Sequence, residues 1–130
     1  MSDLTQSPTT VNNLGVAMFT VADVDAAIEF YTNKLGYELR ADVTFGEGGR
    51  WVEVAPPGST ARLGLNAPMN NQPGGGSIGV ETPDPAAERE RLVALGIESG
   101  ELMSVPGAPT MFSFGDPDGN FIWVVETPLS

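Results

Sequence analysis

Apolar and polar positions run through this chain in one order and then repeat it. Residues 16–21 read VAMFTV, a strand-like run, and Asp23 follows in the place of a helix N-cap. Val24, Ile28, Tyr31 and Leu35 then recur at three- and four-residue spacing, which predicts a helix with one apolar stripe. Gly36 stands where a left-handed residue would end it. Three strands are expected next, over 37–45, 50–55 and 61–66. Gly46, Gly48 and Gly49 separate the first two, and Pro56-Pro57-Gly58 separates the others.

After a polar connector the order returns. Residues 77–81 form a short strand, Asp84 is a second N-cap, and Pro85 takes the first helical position, where its missing N–H costs nothing. Leu92 and Leu95 supply an apolar face and Gly96 the stop. Further strands are expected over 101–105, 110–114 and 121–126. Asp116-Pro117-Asp118-Gly119 has the spacing of a type I turn and would join the last two as a hairpin. The chain thus reads as an α+β domain of two βαβββ modules, 14–67 and 77–130. A Gly-rich linker at 68–76 is expected to be flexible, and so is a polar N-terminal segment at 1–13.

Composition acts on this picture chiefly by exclusion. At 130 residues there is room for one core. Cysteine and histidine are both absent, which removes disulfides, thiol nucleophiles, thiolate or imidazole metal sites and Ser–His triads. Six basic residues against 17 acidic ones leave a net charge of −11, so nucleic acid and anionic membranes are poor partners. No basic leader and no apolar run of about 18 residues is present, and a cytoplasmic location is expected. Pro73-Gly74-Gly75-Gly76-Ser77 lacks the Lys of a phosphate loop, and the 116–119 segment lacks the spaced oxygen ligands of a calcium loop. Lys34, the only lysine, reads as a helix C-terminal charge.

The repeated strand–Asp–helix–Leu-Gly unit, AAIEFYTNKLGY at 26–37, RWVEVAPPG at 50–58 and DPDGN at 116–120 resemble the vicinal oxygen chelate superfamily, which includes glyoxalase I, extradiol dioxygenases and bleomycin resistance proteins. The resemblance spans about residues 14–126. It implies two paired modules forming a U-shaped mixed sheet around a cleft, with the helices outside. In metal-binding members of this group, first and last strands of each module supply the ligands. Carried over one at a time, those positions fall on Val16, near Gly64, on Ser77 and on Trp123. Three of these lack a donor side chain and a serine hydroxyl is feeble, so neither a metal nor another cofactor is expected.

Strand alternation then names what faces the cleft. Val16, Met18 and Thr20 share one face of their strand, leaving Ala17, Phe19 and Val21 to pack against the helices. The expected ligand-binding set is Met18, Thr20, Trp51, Glu53, Arg62, Asn66, Ser77, Glu81, Met111, Ser113, Phe121 and Trp123. Rings, methionines and a little negative charge suit an aromatic, even cationic, organic molecule better than an inorganic ion. Trp51 and Trp123 can equally be core residues. Glu53 and Glu81 can be solvated strand-edge groups, can bond to Arg62 or a backbone N–H, or can await a ligand cation.

Two functions follow. One is a metal-free binding protein that sequesters a small aromatic compound, in the manner of antibiotic resistance. The resemblance implies a homodimer with clefts built from both chains. The alternative is an isomerase or lyase, metal-independent with Glu53 or Glu81 as general base and Ser77, Asn66 or Arg62 as electrophilic partners, or glyoxalase-like. The reading favours a binding protein over a metal-dependent enzyme.

Overall fold

Strand β1 spans Val16–Thr20 in a computed structural model that describes residues 9–128. The Asp23 carboxylate accepts from the Ala26 N–H at 3.1 Å and starts α1, Val24–Glu29. Tyr31 and Leu35 of the predicted stripe are buried, with Val24 and Ile28 packed against them. The helix does not stay α to its end. Over Phe30–Lys34 it widens to π geometry, and the Leu35 N–H bonds to the Phe30 carbonyl at 3.1 Å. Spacings of three and four over so short a stretch cannot tell the two geometries apart. Gly36, at φ +80°, then turns the chain out.

β2 (Glu38–Phe45), β3 (Gly49–Ala55) and β4 (Arg62–Asn66) follow, antiparallel in succession, and β4 lies parallel to β1, giving the order β1-β4-β3-β2. β5 (Ser77–Thr82) leads to α2 (Pro85–Ala94), whose Asp84 cap accepts from the Ala87 N–H at 3.0 Å. β6 (Met111–Gly115) and β7 (Phe121–Glu126) complete a second sheet in the order β5-β7-β6. The class is α+β with two mixed sheets, each carrying its own helix. Strand pairing stops at the free edges of β1 and β5, so the modules form two sheets rather than one continuous one.

The helix-side faces of both sheets share one core. Phe19, Val21, Val52, Val54, Leu63 and Leu65 enter it from the first module, and Phe112, Phe114, Ile122 and Val124 from the second. Three expectations give way here. Ala17, placed against the helices by strand parity, is exposed, because β1 is an edge strand and Ala17 borders open space between the sheets. Leu95 is 43% exposed at the end of α2, and Ile97, just past Gly96, fills the core instead. The segment expected as a strand at 101–105 makes only an isolated bridge between Met103 and Met111. Pro106, with no N–H to donate, closes off any extension of that pairing.

The expected linker also behaves differently. Gly74 N–H donates to the Thr20 carbonyl (3.1 Å), Gly75 N–H to the Gly119 carbonyl (3.2 Å) and Gly76 N–H to Asn120 Oδ1 (3.0 Å). The run is a brace pinned to both modules, not a tether. Of the N-terminal segment, residues 1–8 lie outside the described part, and 9–13 form no helix or strand.

A buried polar cluster crosses the same junction. Asp116 Oδ2 accepts from the Tyr31 hydroxyl (2.8 Å) and from Asn120 Nδ2 (3.0 Å), while Asp116 Oδ1 accepts from the N–H groups of Asp118 and Asn120, each at 2.9 Å. Asn120 Nδ2 also reaches the Thr20 carbonyl (3.1 Å), and the Ala22 N–H donates to Asp118 Oδ1 (3.1 Å). Arg91 of α2 adds hydrogen bonds to the carbonyls of Lys34 and Leu35 at the end of the first helix. The hairpin turn of the second module is therefore also the clamp on the first.

Burial, and then the Asp116 charge, hold the Tyr31 hydroxyl protonated far above the ordinary tyrosine range; burial pushes Tyr37 up to about 12. Both folded values exceed the unfolded value of about 10, so their stabilisation is complete below about pH 10 and is lost as pH rises. Unfolding free energy should be level to about pH 9.5 and then fall by up to ~2.7 kcal/mol per pH unit up to about pH 12, at ~1.36 for each tyrosine. Denaturant titrations across this range check it, and Tyr31→Phe should halve the slope.

Candidate ligand-binding site

Each sheet has a face turned away from the shared core, and strand register decides what stands on it. In the first sheet Glu53 pairs with Gly64 and Ala41, Trp51 with Val43, Met18 with Gly64, Val16 with Arg62 and Thr20 with Asn66. In the second, Trp123 lies between Gly79 and Ser113, Val125 between Glu81 and Met111, and Phe121 between Ser77 and Gly115. Within each sheet, period-two alternation brings together the residues the sequence proposed. Met18, Thr20, Trp51, Glu53, Arg62 and Asn66 share the first face, and Ser77, Glu81, Met111, Ser113, Phe121 and Trp123 the second.

Neither tryptophan is a core residue. Trp51 and Trp123 are half-buried, and small neighbours flank the second ring: a Cβ added at Gly79 would meet no atom within 4 Å. Met18, Val43, Phe45 and Phe121 stand 52–59% exposed on these same faces. Val43 and Phe45 were missed by the sequence reading, although they alternate with Ala41 along β2. Pairing with Trp51 and Gly49 is what assigns their face.

The two glutamates differ sharply. Glu53 is only 8% exposed, which overturns its reading as a solvated strand-edge group. Its Oε2 accepts from Trp51 Nε1 at 3.0 Å, and its Oε1 lies 3.0 Å from Arg62 Nε. That second contact is an ion pair without hydrogen-bond alignment, since the buried Arg62 Nε–H finds no aligned acceptor among the described residues. Glu81 is exposed on the second face. The surplus charge of the chain is therefore not gathered here: with Glu53 matched by Arg62, Glu81 is the remaining carboxylate of the proposed set.

A cavity of about 770 Å³ opens between the sheets, where the free edges of β1 and β5 diverge. Leu14, Val16, Tyr37, Pro56, Ile78 and Val80 give it apolar walls. Of the expected ligand-binding residues, Arg62 and Glu81 line it, from opposite sheets. The others stand on the open faces. Tyr37, Pro56 and Leu14 carried no functional signal in the sequence, because only the packing of the two modules brings them to this gap.

A divalent ion does not fit this donor set. The matched positions Val16, Gly64, Ser77 and Trp123 offer one hydroxyl among them, and no three carboxylates converge among the described residues. Nor is any helix among those residues long and apolar enough to cross a membrane.

The repeated modules, their parallel β1–β4 and β5–β7 pairs and the helix on each sheet define a glyoxalase-like fold. The chain belongs to the Glyoxalase/Bleomycin resistance protein/Dioxygenase superfamily, which it matches over residues 13–124. It is 31% identical over 120 residues to the uncharacterized protein YetH of Bacillus subtilis, covering 89% of this chain and 99% of that one. A superfamily member from Sphaerobacter thermophilus matches with a TM-score of 0.84 at 28% identity, over 92% of this chain and all of its own. TnmS3, an antibiotic binding protein from a Streptomyces species, matches with a TM-score of 0.83 at 28% identity, over 93% of this chain and all of its own.

Proposed function

We propose that this protein binds and sequesters a small, largely aromatic organic molecule, and that it does so as a homodimer. The observation that carries the reading is the placement of Trp51 and Trp123, half-buried on sheet faces turned from the core and beside exposed apolar side chains. A ring that is neither core nor free in solvent offers a stacking surface at small entropic cost. The likeness to TnmS3 supports an antibiotic-like ligand. Exposed Met18, Val43 and Phe45 on one face and Phe121 on the other give a second copy apolar surface to cover, so that a face of each chain would wall the ligand.

Tryptophan fluorescence against a panel of planar aromatic compounds tests this. Quenching should saturate, Trp123→Ala should weaken binding by about tenfold, and the compound should be recovered unchanged. Turnover of the compound, lost in Glu81→Gln, would favour the enzyme instead. Sedimentation should show a dimer at micromolar concentration, and a strict monomer would remove the shared-wall part of the reading.

A further inference from the structure

The carboxylate of Glu53 is the most enclosed charge on either candidate face; one of its oxygens accepts a hydrogen bond and the other faces a guanidinium in an ion pair. Trp51 Nε1 donates to Oε2 at 3.0 Å, and Arg62 Nε stands 3.0 Å from Oε1. The residue across the ladder is Gly64, which has no side chain to compete for this face, and Glu53 is only 8% exposed. An unpaired buried carboxylate would be costly; here the cost is met inside the protein, by a cation on the neighbouring strand. What the buried Glu53 gains is control of an indole: with Nε1–H held, the Trp51 ring has one preferred plane.

We infer that Glu53 is a positioning residue, which fixes the Trp51 ring and is itself neutralised by Arg62, and that the ligand stacked on this face is an uncharged flat ring system rather than a cation. This rests on the reading of the tryptophan faces as the ligand's seat. It assigns Glu53 neither to ligand contact nor to proton transfer. A cation drawn to this face would meet the Glu53 charge already matched by a guanidinium, and Glu81 stands on the other sheet, exposed in the wall of the open cavity, where a single solvated carboxylate attracts weakly.

The test separates the two parts. In a Trp123→Phe background Trp51 is the sole tryptophan. Glu53→Gln keeps an acceptor for the indole, so its emission maximum and near-UV dichroism should match the parent; Glu53→Ala should shift the emission to the red by about 5–10 nm as the freed indole takes its hydrogen bond from water. In the unmutated protein, indole hydrogen exchange should be slower at Trp51 than at Trp123, a comparison that survives any folding defect of the alanine variant. Acridine and N-methylacridinium, rings of equal shape and different charge, then report the ligand class at pH 8. Acridine should bind at least as tightly as the cation, keep its affinity within about threefold in Glu53→Gln, and lose about tenfold in Glu53→Ala.

A tenfold preference for N-methylacridinium, abolished by Glu53→Gln, would make Glu53 a ligand counter-ion and overturn the inference. The same preference abolished by Glu81→Gln would overturn its uncharged-ligand part. Identical emission in Glu53→Gln and Glu53→Ala, or equal exchange at the two indoles, would overturn the positioning role. If neither probe binds while the Trp51 signatures behave as expected, the positioning role stands and the ligand reading beneath it fails.

Discussion

Asn120→Ala should lower the unfolding free energy by about 3–5 kcal/mol, out of a total of roughly 5–15 kcal/mol for a domain of this kind. Asn120 is fully buried, and its side chain serves three groups: the Thr20 carbonyl, Asp116 Oδ2 and the Gly76 N–H. Alanine leaves the carbonyl and the N–H without those partners, each worth about 1–3 kcal/mol, and withdraws one donor from a buried carboxylate. Tyr31→Phe removes a single donor from the same carboxylate and should cost less, about 1–2 kcal/mol. Urea denaturation followed by dichroism gives both values. If Asn120→Ala costs under 1 kcal/mol, the cluster is not what joins the modules.

That cluster shows where the reading of the sequence reached and where it stopped. Asp116-Pro117-Asp118-Gly119 was legible as a turn, because Pro and Gly have local conformational consequences. Its second task was not, because whether Asp116 and Asn120 are buried depends on a partner, Tyr31, 85 residues away along the chain. The faces of the strands were legible for the same local reason: alternation is fixed within each strand, so Trp123, Glu81 and Ser113 could be placed before any pairing was known. Contacts across strands were not. That Glu53 meets Arg62 depends on the register of β3 against β4 across the loop between them, and the alternation of either strand is silent on register. The break into two sheets, and the cavity at the gap, depend on how far β1 and β5 diverge, which is a property of the packed modules.

Charge gives a similar lesson about scale. A net charge of −11 invited a cationic ligand, yet the carboxylates are spread over helix caps, strand edges and the intermodule clamp. Asp42 shows where such charge goes: hydrogen bonds from Arg50 hold its carboxyl below the usual range, and the same guanidinium reaches Asp25 in the first turn of α1. Composition counts charges over the whole surface, whereas a ligand meets only those on the face it touches.

The glycine run provides the second large effect, and a control within itself. Gly74→Ala should destabilise the protein by at least about 3 kcal/mol, and Gly75→Ala by about 1 kcal/mol. Both residues are in the left-handed region, at φ +87° and +84°, so both substitutions carry the same backbone strain. They differ in space. A Cβ at Gly74 would lie 2.2 Å from the Asp118 carbonyl oxygen, whereas one at Gly75 would meet nothing within 4 Å. The obstacle at Gly74 is backbone, held by the Asp116 turn, so relief requires the turn and the Thr20 hydrogen bond of Gly74 to separate. Thermal and urea unfolding of the two variants yield the difference directly. A flexible tether would make them equal, each near the strain value alone; a brace makes Gly74→Ala the worse by about 2 kcal/mol or more, the overpacking cost of the blocked approach.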